Sequence, residues 1–173
     1  FGDERRTVIT SDVSKLDVED LIAVEDVVIT ITHQGYIKRL NIDTYRSQKR
    51  GGRGITGMGT KEEDYVENMI ITSTHNTILY FTNKGLVYQL KGYEIPEYGR
   101  TAKGLPIVNL LKLDDGEKIA TIINVDRDQA AKYLFFTTRN GIVKRTSTSQ
   151  FSNIRTNGLK ALKLRDGDEL INV

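Results

Sequence analysis

Seven consecutive residues concentrate cations and glycines: Gln48-Lys49-Arg50-Gly51-Gly52-Arg53-Gly54. Guanidinium groups present planar donor forks that match phosphate oxygens, and an ammonium adds a compact point charge. Glycines let the backbone approach a ligand closely and expose its N–H groups. The chemistry on offer is anion recognition, without a nucleophile or a general base. Because a segment so rich in glycine loses freedom on binding, it reads as a loop ordered by its ligand.

Other chemistries fail on the residues they would need. Gly52-Arg53-Gly54-Ile55-Thr56-Gly57 fits G-x-G-x-x-G, but no helix is expected there and no Asp or Glu lies at residues 72–77, where a ribose partner belongs. A phosphate loop ending in Gly-Lys-Ser/Thr is absent, so ATP hydrolysis is not expected. His33 and His75 fall in or beside turns with no second ligand at metal spacing, and no metal site is expected. Most of the eight tyrosines lie in strand-like runs, as Tyr80 and Tyr133 do, where packing is the expected role. No catalytic residue and no cofactor site is expected in this chain.

Zero cysteines exclude disulfides, thiolate zinc sites and cysteine nucleophiles. A chain of 173 residues, 38% hydrophobic and 28% charged, suits one soluble globular domain. No apolar run reaches membrane length and no leader-like segment opens the chain, so a cytoplasmic location without membrane contact is expected.

The elements that must carry the loop are repeated. Thr32-His33-Gln34-Gly35, Thr82-Asn83-Lys84-Gly85 and Thr138-Arg139-Asn140-Gly141 match in phase, with glycines 50 and 56 residues apart. Each follows an apolar run (Val27 to Ile31, Ile78 to Phe81, Tyr133 to Phe136) and precedes another, which is a hairpin signal. About 19 residues after each hairpin glycine comes a second glycine with an apolar neighbour: Gly54-Ile55, Gly104-Leu105 and Gly158-Leu159. Acidic groups follow (Glu62-Glu63-Asp64, Asp114-Asp115-Gly116-Glu117, Asp166-Gly167-Asp168-Glu169), and they read as connecting turns rather than Mg²⁺ or carboxylate-dyad sites. Strand-like runs come next: Met69 to Ile71, Ile119 to Val125 and Leu170 to Val173, with Leu21 to Val24 as a first copy. A period near 50 residues with room for four short strands predicts an all-β, propeller-like array.

The expected organisation is a junction over 1–18, blades over 19–66, 67–116 and 117–167, and the start of a fourth blade over 168–173. Such an open array leaves sheet edges unpaired, and a strand-exchanged homodimer is an expected partner state.

Charge follows the repeat. Residues 34–54 carry six basic residues and one acid, and residues 139–160 carry five basic residues and no acid, whereas residues 61–67 sum to −3. The formal net charge of +2 hides this sorting. Equal phase places the cations along one rim, the pattern a phosphate backbone needs when it is gripped without base reading. Diluted versions of the seven-residue loop stand at Tyr98 to Gly104 and Ser152 to Gly158.

Loop, hairpins and period together resemble the C-terminal domain of the DNA gyrase A subunit. That family carries a box of the form Gln-(Arg/Lys)-Arg-Gly-Gly-(Arg/Lys)-Gly, matched here at all seven positions by residues 48–54. The segment Phe1-Gly2-Asp3-Glu4-Arg5-Arg6-Thr7 resembles the junction where the family's breakage-reunion arm enters this domain. The resemblance implies a six-bladed β-pinwheel of which this chain supplies three blades and the start of a fourth. It also implies a module that wraps duplex DNA with right-handed sense and so directs ATP-dependent negative supercoiling. ATP and Mg²⁺ would act elsewhere in the holoenzyme, which also holds a second A subunit, with the gyrase B subunit. By position, Gln48, Lys49, Arg50, Gly51, Gly52, Arg53 and Gly54 would clamp DNA, with Lys38, Arg39, Arg100, Lys103, Lys144, Arg145, Arg155 and Lys160 along the rest of the track. A topoisomerase IV C-terminal domain is the close alternative, which the intact box disfavours. A propeller-like scaffold docking an acidic protein is the alternative from another class.

Overall fold

A computed structural model describes residues 18–44, 64–125 and 132–173. The described strands run in chain order as β1 (Asp26–Thr32), β2 (Tyr36–Asn41), β3 (Val66–Ser73), β4 (Thr77–Thr82), β5 (Leu86–Lys91), β6 (Leu105–Pro106), β7 (Ile119–Val125), β8 (Tyr133–Thr138), β9 (Val143–Ser147), β10 (Leu159–Lys160) and β11 (Leu170–Asn172). Short 3₁₀ turns punctuate them, and the all-β expectation holds.

The three repeats form the three hairpins β1–β2, β4–β5 and β8–β9. One local device builds each turn. The glycine takes positive φ (Gly35 83°, Gly85 76°, Gly141 76°), and its N–H donates to the carbonyl of Thr32, Thr82 or Thr138. The hydroxyl oxygen of the same threonine accepts the N–H four residues on, at Tyr36, Leu86 or Ile142.

Sheet membership crosses the repeat boundaries. The sheets are ordered β3-β1-β2-β6, β10-β5-β4-β7 and β11-β8-β9. Each hairpin therefore gains an inner strand from the segment before the next hairpin, and the first two gain an outer strand from the segment after it. Segment 67–116 accordingly contributes to two sheets. Residues 168–173, expected to open a fourth blade, supply β11 to the third sheet instead. Leu21 to Val24, expected as a strand, follow a 3₁₀ turn at Val18–Leu21 and form no strand. Thr74 holds this stretch by donating its hydroxyl to the Ala23 carbonyl at 2.7 Å.

Two apolar layers lie between the sheets. Ile29 and Ile37 of the first sheet meet Ile78, Tyr80 and Tyr88 of the second. Leu79, Phe81 and Val87 of the second meet Leu134 and Phe136 of the third, with Phe151 and Leu162. Successive β4 residues thus face different neighbours, which is why that strand is an unbroken apolar run. Each fully buried side chain of this size contributes roughly 1.5–3 kcal/mol. The inner strands are also linked: Thr72 Oγ1 donates to Asn124 Oδ1 at 2.9 Å and Thr121 Oγ1 to Asn172 Oδ1 at 3.1 Å. The outer edges, which carry β6 and β10, lie on the opposite side of each sheet.

Candidate nucleic-acid interface

The seven-residue box at 48–54 lies outside the described residues. Its two counterparts are described, and the sheets position both in the same way. β6 pairs with β2 through Leu105↔Ile37 and Pro106↔Tyr36, and β10 pairs with β5 through Leu159↔Val87 and Lys160↔Leu86. Both pairings fall one and two residues after the hairpin glycine. The loops preceding β6 and β10 therefore occupy equivalent places on the outer edges of successive sheets.

A glycine makes each seat possible. Gly104 has φ +83°, and a Cβ there would lie 2.3 Å from the Ile37 carbonyl oxygen. Gly158 has φ +78°, and its Cβ would lie 2.8 Å from the Tyr88 ring. Left-handed backbone and close approach coincide, so the second glycine of the repeat is the hinge that lays the loop on its neighbour.

Cations divide into exposed and engaged groups. Arg100 and Lys103 are exposed on the second repeat's loop, and Arg155 on the third's. Lys160 is exposed on β10 beside that third loop. Lys144 and Arg145 are exposed on β9; Lys144 Nζ donates to the Ala161 carbonyl at 3.1 Å, and the Arg145 guanidinium sits 4.6 Å over the Tyr133 ring. Arg39 is largely engaged: its Nε donates to the Ile95 carbonyl at 3.0 Å and its guanidinium lies 3.7 Å from Glu97.

Lys38, expected on the DNA track, is buried instead. It is 0% exposed, and its Nζ donates to the carbonyls of Gly99 (3.1 Å), Arg100 (2.6 Å) and Ala102 (3.0 Å). An ammonium has three protons, and all three are spent on the loop. The matching positions are Tyr88 and Gln89 in the middle copy and the exposed Lys144 and Arg145 in the third, so the repeat gives no consistent signal of this burial. Gln89 Nε2 donates to the Ile154 carbonyl at 3.2 Å, the same loop-bracing role that Arg39 plays.

The recurring acids lie at the hairpin ends. Asp64 Oδ1 accepts the N–H groups of Gln34 and Tyr65, both at 3.0 Å. Asp168 Oδ1 accepts those of Asn140 at 3.0 Å and Glu169 at 2.9 Å. Burial pushes both carboxyl groups up, but these donors, with a threonine hydroxyl and a nearby cation for each, leave both below the ordinary value of 3.8. The acids thus serve as turn clamps, as their recurrence predicts. Among the described residues no three potential ligands cluster as a metal site, and no helix is long and apolar enough to cross a membrane.

This geometry agrees with its similarities to known proteins. The family model for the DNA gyrase C-terminal domain, a β-propeller, matches residues 26–73, 76–126 and 132–173. The DNA gyrase A subunit of Streptococcus pneumoniae (strain ATCC BAA-255 / R6) is 62% identical over 175 residues, covering 100% of this chain and 21% of that protein. Its counterpart from Halalkalibacterium halodurans is 59% identical over 170 residues, covering 98% of this chain and 20% of that protein. The chain thus spans about a fifth of the length of these relatives. Among solved structures, the C-terminal domain of DNA topoisomerase IV superposes with a TM-score of 0.72 at 29% identity, over 87% of this chain and 45% of that one. A DNA gyrase A C-terminal domain gives 0.66 at 29% identity, over 86% and 47%. With every described hairpin inside the matched residues, the chain belongs to the DNA gyrase C-terminal domain family of β-propellers.

Proposed function

We propose that this chain is a sequence-tolerant module of DNA gyrase that binds and wraps duplex DNA, directing strand passage towards ATP-dependent negative supercoiling. The observation that carries this reading is the equivalent placement of the loops bearing Arg100 and Arg155 on the outer edges of successive sheets, with the exposed Lys103 and Lys160 beside them. Cations repeated along a perimeter suit a phosphate backbone bent around them. Bending a duplex costs several kcal/mol, which many distributed phosphate contacts offset. The box at 48–54 occupies the same phase in the first repeat and would be the strongest clamp. The rest of a cytoplasmic holoenzyme supplies ATP and Mg²⁺ chemistry, a second A subunit, and the gyrase B subunit. In the third sheet β9 has no outer partner among the described residues, the edge through which a strand-exchanged homodimer would form.

The topoisomerase IV domain superposes better, but at the same 29% identity, whereas the relatives at about 60% are gyrase A subunits. The intact box adds to that balance in favour of gyrase.

Plasmid relaxation by a separate topoisomerase tests the reading. In the presence of the chain, topoisomers should shift towards positive linking, and Arg50→Ala/Arg53→Ala should abolish most of the shift while moving stability by under about 0.5 kcal/mol. A double variant that wraps as well as the parent does would remove the box from the mechanism.

A further inference from the structure

We infer that Lys38 is a positioning residue for the second repeat's loop: held by three loop carbonyls, its ammonium fixes the attitude in which Arg100 and Lys103 meet duplex DNA. The inference rests on the DNA-binding reading above.

β2 holds Lys38 rigidly, opposite the buried Thr30 in the register with β1. The next residue ties down one leg of the loop, since the Arg39 N–H donates to the Pro96 carbonyl at 3.1 Å and the Arg39 carbonyl accepts the Tyr98 N–H at 3.2 Å. Gly104 seats the other leg against Ile37. Between the legs, three carbonyls converge on one Nζ. No carboxylate lies within ion-pair distance of that Nζ among the described residues, so carbonyl dipoles compensate the buried charge.

A trans peptide points its N–H opposite its C=O. With the carbonyls of Gly99, Arg100 and Ala102 turned in towards Lys38, the N–H groups of Arg100, Thr101 and Lys103 are turned away from it. That leaves them available to an anion drawn by the two exposed cations. A lysine that touches no phosphate thereby aims both the side chains and the backbone donors of the loop.

The second hairpin, which seats the third repeat's loop, is an internal control. Tyr88 stands where Lys38 stands, and its hydroxyl donates inward to the Lys112 carbonyl at 3.0 Å rather than to the loop at 152–158.

Amide hydrogen exchange and duplex binding are measured on the whole chain, for the parent, Lys38→Met, Arg100→Ala/Lys103→Ala and the triple variant. In Lys38→Met, exchange of the hydrogen-bonded Tyr98 and Ala102 amides should rise about tenfold or more while Gly158 and the strands keep their protection. The slope of log K against log salt should fall by about 1.8, from two lost phosphate contacts at about 0.9 each. Adding Lys38→Met to the Arg100/Lys103 pair should change the slope no further. Unchanged loop exchange, exchange rising throughout, or a further fall of about 0.9 in the triple variant would each overturn the inference. Lys38→Gln, which keeps a polar donor in the site, is read by the same criteria should Lys38→Met not fold. A parent that binds duplex without salt dependence sinks the DNA reading alone, because the exchange arm still decides what Lys38 holds.

Discussion

The first and second sheets share one frame and differ in the side chain that stands three residues after the hairpin glycine. Each receives a two-residue outer strand in the same register, and each seats a cationic loop through a glycine at positive φ. Three residues after the hairpin glycine, the first sheet has Lys38, which reaches outward into the loop. The second has Tyr88, which reaches inward to the Lys112 carbonyl and to Glu117 Oε2 at 3.2 Å. Burial first, and then the negative charge of Glu117, push the Tyr88 hydroxyl up to about 12, so it remains a neutral donor. The contrast separates two jobs: glycines and register decide where a loop lies, while one side chain decides how firmly it is held.

The largest break in that comparison comes from the glycines. In Gly104→Ala the new methyl meets the Ile37 carbonyl, which is backbone inside a sheet, at a φ of +83°. In Gly158→Ala it meets the edge of the Tyr88 ring, a side chain that yields more readily. Chemical denaturation should show a loss of about 3 kcal/mol or more for Gly104→Ala and about 1–2 kcal/mol for Gly158→Ala. Equal losses would mean that the Tyr88 ring is as immovable as a strand backbone.

A smaller effect isolates the inward reach. Tyr88→Phe keeps the ring that Gly158 rests on and removes only the hydroxyl. Glu117 Oε2 then keeps the Asp114 N–H at 2.8 Å, while Oε1 already has no partner among the described residues. The expected cost is about 1–2 kcal/mol, seen as a lower denaturation midpoint at unchanged slope. The cost should shrink in a Glu117→Gln background if the hydroxyl acts through that carboxylate, and an undiminished cost would assign it to the Lys112 carbonyl.

How much of this could be read beforehand follows from the range of each signal. The hairpins were legible because Thr-x-x-Gly is a local device: the threonine and glycine that mark the turn also make its hydrogen bonds. The second glycine was legible as a landmark, although its reason, contact with Ile37 or Tyr88 of the preceding hairpin, was not. Sheet membership was hidden because β3 and β6 pair with a hairpin far back in the chain, and no local pattern encodes such a partner. Leu21 to Val24 misled for the same reason: apolar residues without a neighbouring strand to pair with form none. The fate of Lys38 was the least legible. A lysine in a cationic stretch reads as a surface charge until the three carbonyls that bury it are known, and they come from about 60 residues downstream.

The smallest expected effect concerns the hairpin acid, which differs between the two sheets in step with Lys38 and Tyr88. In the first sheet Asp64 clamps the N–H groups of Gln34 in the hairpin turn and of its own neighbour Tyr65, whereas the equivalent Glu117 answers Tyr88. Burial works against the Asp64 charge, yet the Gln34 and Tyr65 N–H groups, the Thr32 hydroxyl and the His33 side chain hold its carboxyl below 3.8. A carboxyl whose folded value lies below its unfolded value stabilises the fold above the unfolded value. That contribution disappears as pH falls through 3.8 and then through the lower folded value. Asn at this position still offers an oxygen to both N–H groups but carries no charge to titrate. Urea midpoints of the parent and Asp64→Asn should therefore differ modestly near neutrality and converge on acidification below about pH 4. Curves that stay parallel across that window would show that the clamp acts through its geometry alone, and the first hairpin would then owe its acid sensitivity to other groups.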